Sequence, residues 1–256
     1  MQNEQKAIED NMKNKLSLRL LNIFGFALAL YVNYLSIVTK LGGKSIRELS
    51  DKYDNLFTPS PQTFSIWGVI YTLVIIFLVV QFINKYDQVS IMKNLLFSIS
   101  CLLNAAWIVL WQFEFIVGSV LVMLGLLTTL TLINKELIKG PTLLKLVFGV
   151  YLGWICIATV ANLTALLVAK GVVPSIEAQE MITVSLLVVA AVLTSWLVYK
   201  LANPFLVVSV GWAFYGVYNK RIVDHSIIAY TALAVMAAII IFVIFYWSSI
   251  KKEEKV

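Results

Sequence analysis

Thr58-Pro59-Ser60-Pro61-Gln62-Thr63-Phe64-Ser65-Ile66-Trp67-Gly68-Val69-Ile70-Tyr71 closes a polar loop and opens an apolar run with no ionisable side chain before Lys85. The two prolines suit a helix start, where a missing N–H costs nothing. Trp67 and Tyr71 are one turn apart, so both rings leave that helix on one face. A lone Trp here is the ordinary interfacial anchor of a membrane helix. Its meaning therefore depends on what other parts of the chain bring to it.

The surrounding composition sets the class. Of 256 residues, 60% are hydrophobic and 13% charged, with a mean hydropathy of +0.87; soluble domains carry about a quarter charged residues. Apolar runs of membrane-spanning length, separated by short charged joints, predict an all-α fold, a polytopic transmembrane helix bundle. Helices are expected over 16–38, 62–83, 93–111, 115–133, 142–169, 177–199, 204–218 and 226–247, with the clean run of 204–218 the shortest. Residues 1–15 read as a polar tail and 249–256 as a basic one. The first apolar run is too long for a signal-peptide core and reads as a retained anchor.

The net charge of +6 comes from lysines in the joints and forms no basic stripe, so the expected partners are the lipid bilayer and not nucleic acid. Most of the 20 basic residues, Lys85, Lys135, Lys200 and Lys255 among them, fall on the N-terminal side of an eight-helix topology. The expectation is a multi-pass cell-membrane protein with both termini cytoplasmic. Cys101 and Cys156 lie in apolar runs with no Cys or His at ligand spacing, so no metal site is expected.

Between the first two helices, Ser45-Ile46-Arg47-Glu48 has capping-box spacing. Ile46, Leu49, Tyr53 and Leu56 then recur at helical intervals. This predicts a short amphipathic helix on the outer face. It is either a surface anchor or, within an outer loop over 39–61, a lid over a space between the helices.

Tracing the direction of each helix puts several rings and amides at one depth beneath that loop: Trp67 and Tyr71, Asn104 and Trp107, and Trp154, Ala158 and Asn162, with Tyr31, Asn33 and Tyr34 nearby. Two readings fit. Buried amides glue membrane helices together, and aromatic walls with a few polar groups make an apolar ligand pocket. No ionisable residue lies well inside an apolar run, which disfavours an ion-coupled pump and a retinal Schiff base. No catalytic triad, carboxylate pair or phosphate loop appears. His225, beside Asp224, reads as a satisfied group at a helix end.

Ser65-Ile66-Trp67-Gly68-Val69-Ile70-Tyr71, Leu103-Asn104-Ala105-Ala106-Trp107 and Tyr151-Leu152-Gly153-Trp154 with Ala161-Asn162 together resemble the TspO/translocator-protein family of tryptophan-rich sensory proteins. They match its P-V-W-x-x-L-Y, L-N-x-x-W, Y-L-x-W and L-N motifs in order and spacing. The chain departs from the pattern at Pro61, Ser65 and Ile108-Val109. The resemblance implies a five-helix core over 16–169. The three further transmembrane helices read from the apolar runs over 170–248 have no place in that core and form a C-terminal extension, which could pack against it as a homodimer interface would. The resemblance also implies an outer-half cavity that takes an apolar or tetrapyrrole-like ligand, such as a porphyrin or haem. By position match Trp67, Asn104, Trp107, Trp154, Ala158 and Asn162 would line it, and Tyr71 adds to that wall. Trp67 and Trp154 would stack on the ligand while Asn104 and Asn162 offer hydrogen bonds. The expected function is that of a sensor or carrier. The alternatives are Trp-dependent photodegradation of porphyrin, an uncoupled transporter, or a partner subunit without ligand.

Overall fold

A computed structural model describes residues 2–83, 90–172 and 174–253. Nine α-helices and no strand occur among the described residues: α1 (Gln2–Val38), α2 (Ile46–Lys52), α3 (Ile66–Val80), α4 (Ile91–Gln112), α5 (Ile116–Glu136), α6 (Thr142–Ala169), α7 (Ile176–Leu201), α8 (Leu206–Arg221) and α9 (Ser226–Glu253). The fold is all-α, as expected. Two 3-10 turns, Leu41–Gly43 and Pro61–Ser65, flank the α2 loop.

Two expectations change. Residues 2–15 are not a separate tail but the first turns of α1, which has no Gly or Pro before Gly25 to stop it. Likewise α9 runs on to Glu253, into the segment expected as a basic tail; the rest of that tail, and Lys85 and Lys255, lie outside the described residues.

Among the described residues, seven helices are long and apolar enough to cross a membrane. The shortfall from eight is α8, whose 16 residues reach about 24 Å against a hydrocarbon thickness of about 30 Å. Yet α8 still connects the two faces of the bundle. Just before its start, Asn203 donates to Asn134 Oδ1 (2.7 Å) and Lys145 O (2.9 Å), where α5 ends and α6 begins. At its end, Arg221 donates to Asn55 O (2.7 Å) and Leu56 O (3.2 Å), on the α2 face. Much of its surface is buried against protein, so it does not depend on lipid along its whole length.

Helices α1, α3, α6, α5 and α4 form a ring in that order, with α1–α4, α4–α5 and α5–α6 in close contact and α3 touching α1 only lightly. The ring's core is the aromatic cluster Phe77, Phe97 and Phe148, with centroids 4.9–6.1 Å apart. The C-terminal helices dock on this ring through α8 against α6, and α9 then packs on α7 and α8. The close approach depends on Gly149 and Gly153, one turn apart on α6. A methyl at Gly153 would overlap Leu206 O and Ser209 Oγ, and one at Gly149 would lie 2.7 Å from the Asn203 amide. Small residues at this spacing let membrane helices meet backbone to backbone, and Ser209 Oγ uses the contact to donate to Val150 O at 2.7 Å.

Candidate functional site

The α2 loop is tied down at both ends. Ser45 caps α2: its hydroxyl accepts from Glu48 N (3.1 Å) while its own N–H donates to Glu48 Oε2 (2.6 Å). These bonds hold the Glu48 carboxyl down to about 2. Leu49 is fully buried and packs with Trp111, Ile116 and Ala165. Beyond it, Lys44 (2.6 Å), Tyr53 OH (2.5 Å) and Lys52 all donate to the carboxylate of Glu114, which sits at positive φ in the turn between α4 and α5. The donors, Lys44 foremost, lower the Glu114 carboxyl to about 2. Its partner Lys52 is raised above its usual range, chiefly by the bond to Glu114.

The other end of the loop is held by α8. Asn55 Oδ1 accepts from the N–H groups of Phe57 and Thr58, turning the chain inward. Arg221 binds the two carbonyls named above, and Lys220 donates to Asp54 Oδ1 at 2.8 Å. Ser60 N donates to Gly216 O (3.0 Å), and Trp212 Nε1 donates to Thr63 O (2.8 Å).

Under this loop lies a cavity of about 450 Å³. Trp67, Tyr71, Asn104 and Trp107 line it, with Asn33, Phe64, Ile108 and the Pro59–Pro61 region closing the sides. A recess of about 60 Å³ adjoins it, sharing Phe64, Trp67 and Trp107 and adding Trp111, Trp154, Ala158, Ala161, Asn162 and Ala165. All seven residues singled out in the sequence thus border this pair of adjoining spaces. Trp67 is their hub, with ring centroids 5.5 Å from Tyr71, 6.0 Å from Tyr151 and 6.3 Å from Trp154.

The polar groups divide by role. Asn33 Nδ2 donates to Tyr71 OH at 2.8 Å. Asn162 Oδ1 accepts from Trp107 Nε1 (3.1 Å) and Ser119 Oγ (3.3 Å), and its amide donates to Ala158 O. Its oxygen is therefore taken within the protein, unlike the hydrogen-bonding role expected for it. Asn104 Nδ2 meets Tyr151 OH at 3.2 Å, and Asn104 Oδ1 has no partner within the protein. The sequence expectation of Tyr31 and Tyr34 near this space fails: both are exposed, and from that turn of α1 only Asn33 and Ser36–Ile37 reach the cavity.

Sequence reasoning missed Phe64, Trp111 and Lys220. Trp111 had a signal, lying one turn beyond Trp107 on the same face. Lys220 had none, because only docking of α8 brings it to the cavity mouth, where Asp51 also lies.

This arrangement defines a class: a helical membrane bundle with an aromatic cavity beneath a capped loop helix. The chain belongs to the TSPO-like protein family, whose model matches residues 19–245, from α1 into α9. The matched region therefore takes in the three C-terminal helices as well as the five-helix ring. No curated protein and no solved structure matches the chain.

Proposed function

We propose that this protein binds an apolar, flat small molecule of tetrapyrrole-like character in the cavity under α2, acting as a sensor or carrier in the cell membrane. In this reading both termini face the cytoplasm and the cavity opens toward the outer leaflet. The observation that supports it is a space of about 450 Å³ walled by Trp67, Tyr71, Phe64 and Trp107. Small-molecule pockets span roughly 300–1,000 Å³ and combine aromatic walls with a few polar groups. The charged lining residues, Asp51 and Lys220, come from the loop and the end of α8 and carry opposite signs, so the apolar body of a ligand would lie against the aromatic walls away from them.

The test is titration of the purified full chain in detergent with protoporphyrin, haem and a sterol, read by tryptophan quenching and porphyrin absorption. The reading expects saturable quenching that Trp67→Phe weakens by about tenfold, the scale of 1.4 kcal/mol. Absence of saturable quenching by every probe overturns it and leaves an uncoupled transporter or a partner subunit. The same samples are illuminated. Loss of the porphyrin spectrum that Trp67→Phe and Trp154→Phe both abolish moves the reading to Trp-dependent photodegradation.

A further inference from the structure

Indole N–H groups are donors only, and when buried they normally find an acceptor. In this chain Trp107 has Asn162 Oδ1 and Trp212 has Thr63 O. Trp111 and Trp154 have none within the protein, although they are 6% and 2% exposed. Both border the same 60 Å³ recess.

Three features explain why the protein leaves them so. The nearby amide oxygen, that of Asn162, already accepts two bonds. Besides Trp154 and Asn162, α6 lines the recess with Ile157, Ala158, Ala161 and Ala165, whose side chains carry no acceptor, and the lining hydroxyls of Ser50, Tyr53 and Thr58 accept from neither indole. Trp154 is held by edge contacts with Phe64 (5.8 Å) and Trp67 (6.3 Å), and Trp111 by its stack on Trp107 (6.2 Å). Turning either ring toward another partner would break that packing.

We infer that the recess is an acceptor subsite: a neutral oxygen of the bound molecule, a carbonyl or its chemical equivalent, enters beside Ala158 and Ala161 and takes the N–H groups of Trp154 and Trp111. The recess has room for about two water-sized groups, which suits a C=O and its flanking carbon, while the rings stay in the larger space. No charged side chain lines the recess. An ionised carboxylate would therefore be buried without a counter-charge, at high cost, and the subsite selects a neutral acceptor. This rests on the proposed ligand cavity and adds the chemistry of one end of the ligand.

The experiment uses a matched pair, benzophenone and diphenylmethane, which differ by a carbonyl in place of a methylene. Binding to the full chain is measured by equilibrium dialysis against matched detergent. Benzophenone is expected to bind about tenfold more tightly, since one such bond is worth about 1.4 kcal/mol. Trp154→Phe and, separately, Ala158→Leu should bring the benzophenone-to-diphenylmethane ratio toward one, whatever each does to the affinity for diphenylmethane itself. The infrared carbonyl stretch of bound benzophenone should lie below its position in hydrocarbon and move back toward it in Trp154→Phe. Equal binding of the two probes with an unshifted stretch overturns the subsite and leaves the cavity reading intact. Failure of both probes to bind a chain that still binds porphyrin overturns the subsite alone. Failure of these probes together with porphyrin, haem and sterol overturns the cavity reading as well.

Discussion

The two ends of the five-helix ring use the same amide chemistry to opposite effect. At the end away from α2, Asn22 donates to Gln81 Oε1 (3.2 Å) and Asn94 Oδ1 (2.6 Å) and accepts from Ser98 Oγ (2.8 Å), joining α1, α4 and the residue after α3. Gln81 and Asn94 each donate from their own amide nitrogen as well, to Leu78 O and Ser90 O. Nearby, Asn134 and Asn203 are saturated in the same way. At the α2 end, the buried atoms without a partner, among the described residues, are Asn104 Oδ1, Trp111 Nε1, Gln112 Oε1 and Trp154 Nε1. Three of those four residues border open space. A polar group in hydrocarbon costs free energy unless it is paired. Pairing at one end makes glue. Groups left unpaired beside a cavity are what the proposed ligand would engage.

The sharpest way to break this comparison is Asn22→Ala. It strips Gln81, Asn94 and Ser98 of their shared partner and is expected to destabilise by about 2 kcal/mol, read as a lowered melting temperature in detergent. Little loss there would mean that the saturated end is not structural glue. Next comes Arg221→Met. It removes the guanidinium, 6% exposed, that holds Asn55 O and Leu56 O, and should cost about 1–2 kcal/mol. Faster dissociation of a bound porphyrin is the functional readout, because the loop over the cavity loses its tie to α8.

Asn104→Ala should cost less than about 1 kcal/mol, because its oxygen is already unpaired. A loss as large as that of Asn22→Ala would erase the distinction between the two ends. The smallest effect concerns pH. The Glu114 carboxyl is lowered to about 2 by Lys44, Lys52 and Tyr53, so its contribution is complete above the unfolded value of about 4.5 and fades only as pH falls toward 2. Lys52 is raised, so its share is complete below its ordinary value and is lost only at strongly alkaline pH. Ligand dissociation should therefore stay flat between about pH 5 and 10. Glu114→Gln should quicken it by no more than about threefold, as befits a largely solvated ion-pair cluster. A marked change near pH 7 would mean that another group holds the loop.

The capping box at Ser45–Glu48 and the Trp67–Tyr71 pair were legible in the sequence because each depends on residues three or four apart. The 142–169 helix was legible from its apolar length and matches α6 at both ends. The Glu114 cluster was not, since Lys44, Lys52 and Tyr53 lie 61 to 70 residues away from it in the chain. Nor was the role of Gly149 and Gly153, whose meaning depends on which helix arrives against them. Tyr31 and Tyr34 misled for the converse reason. They share the depth of the cavity, but depth is set along a helix and facing is set by its neighbours.

By itself the sequence determined that this chain lies in a membrane as a helical bundle, and which rings and amides share a depth. Both follow from hydrophobic length and helical period, which are local properties of the chain. The tertiary structure decided which of those groups pair and which remain open, and how α8 closes the loop over the cavity. Pairing is a matter of a few ångströms between residues far apart in the chain, and only packing sets such distances.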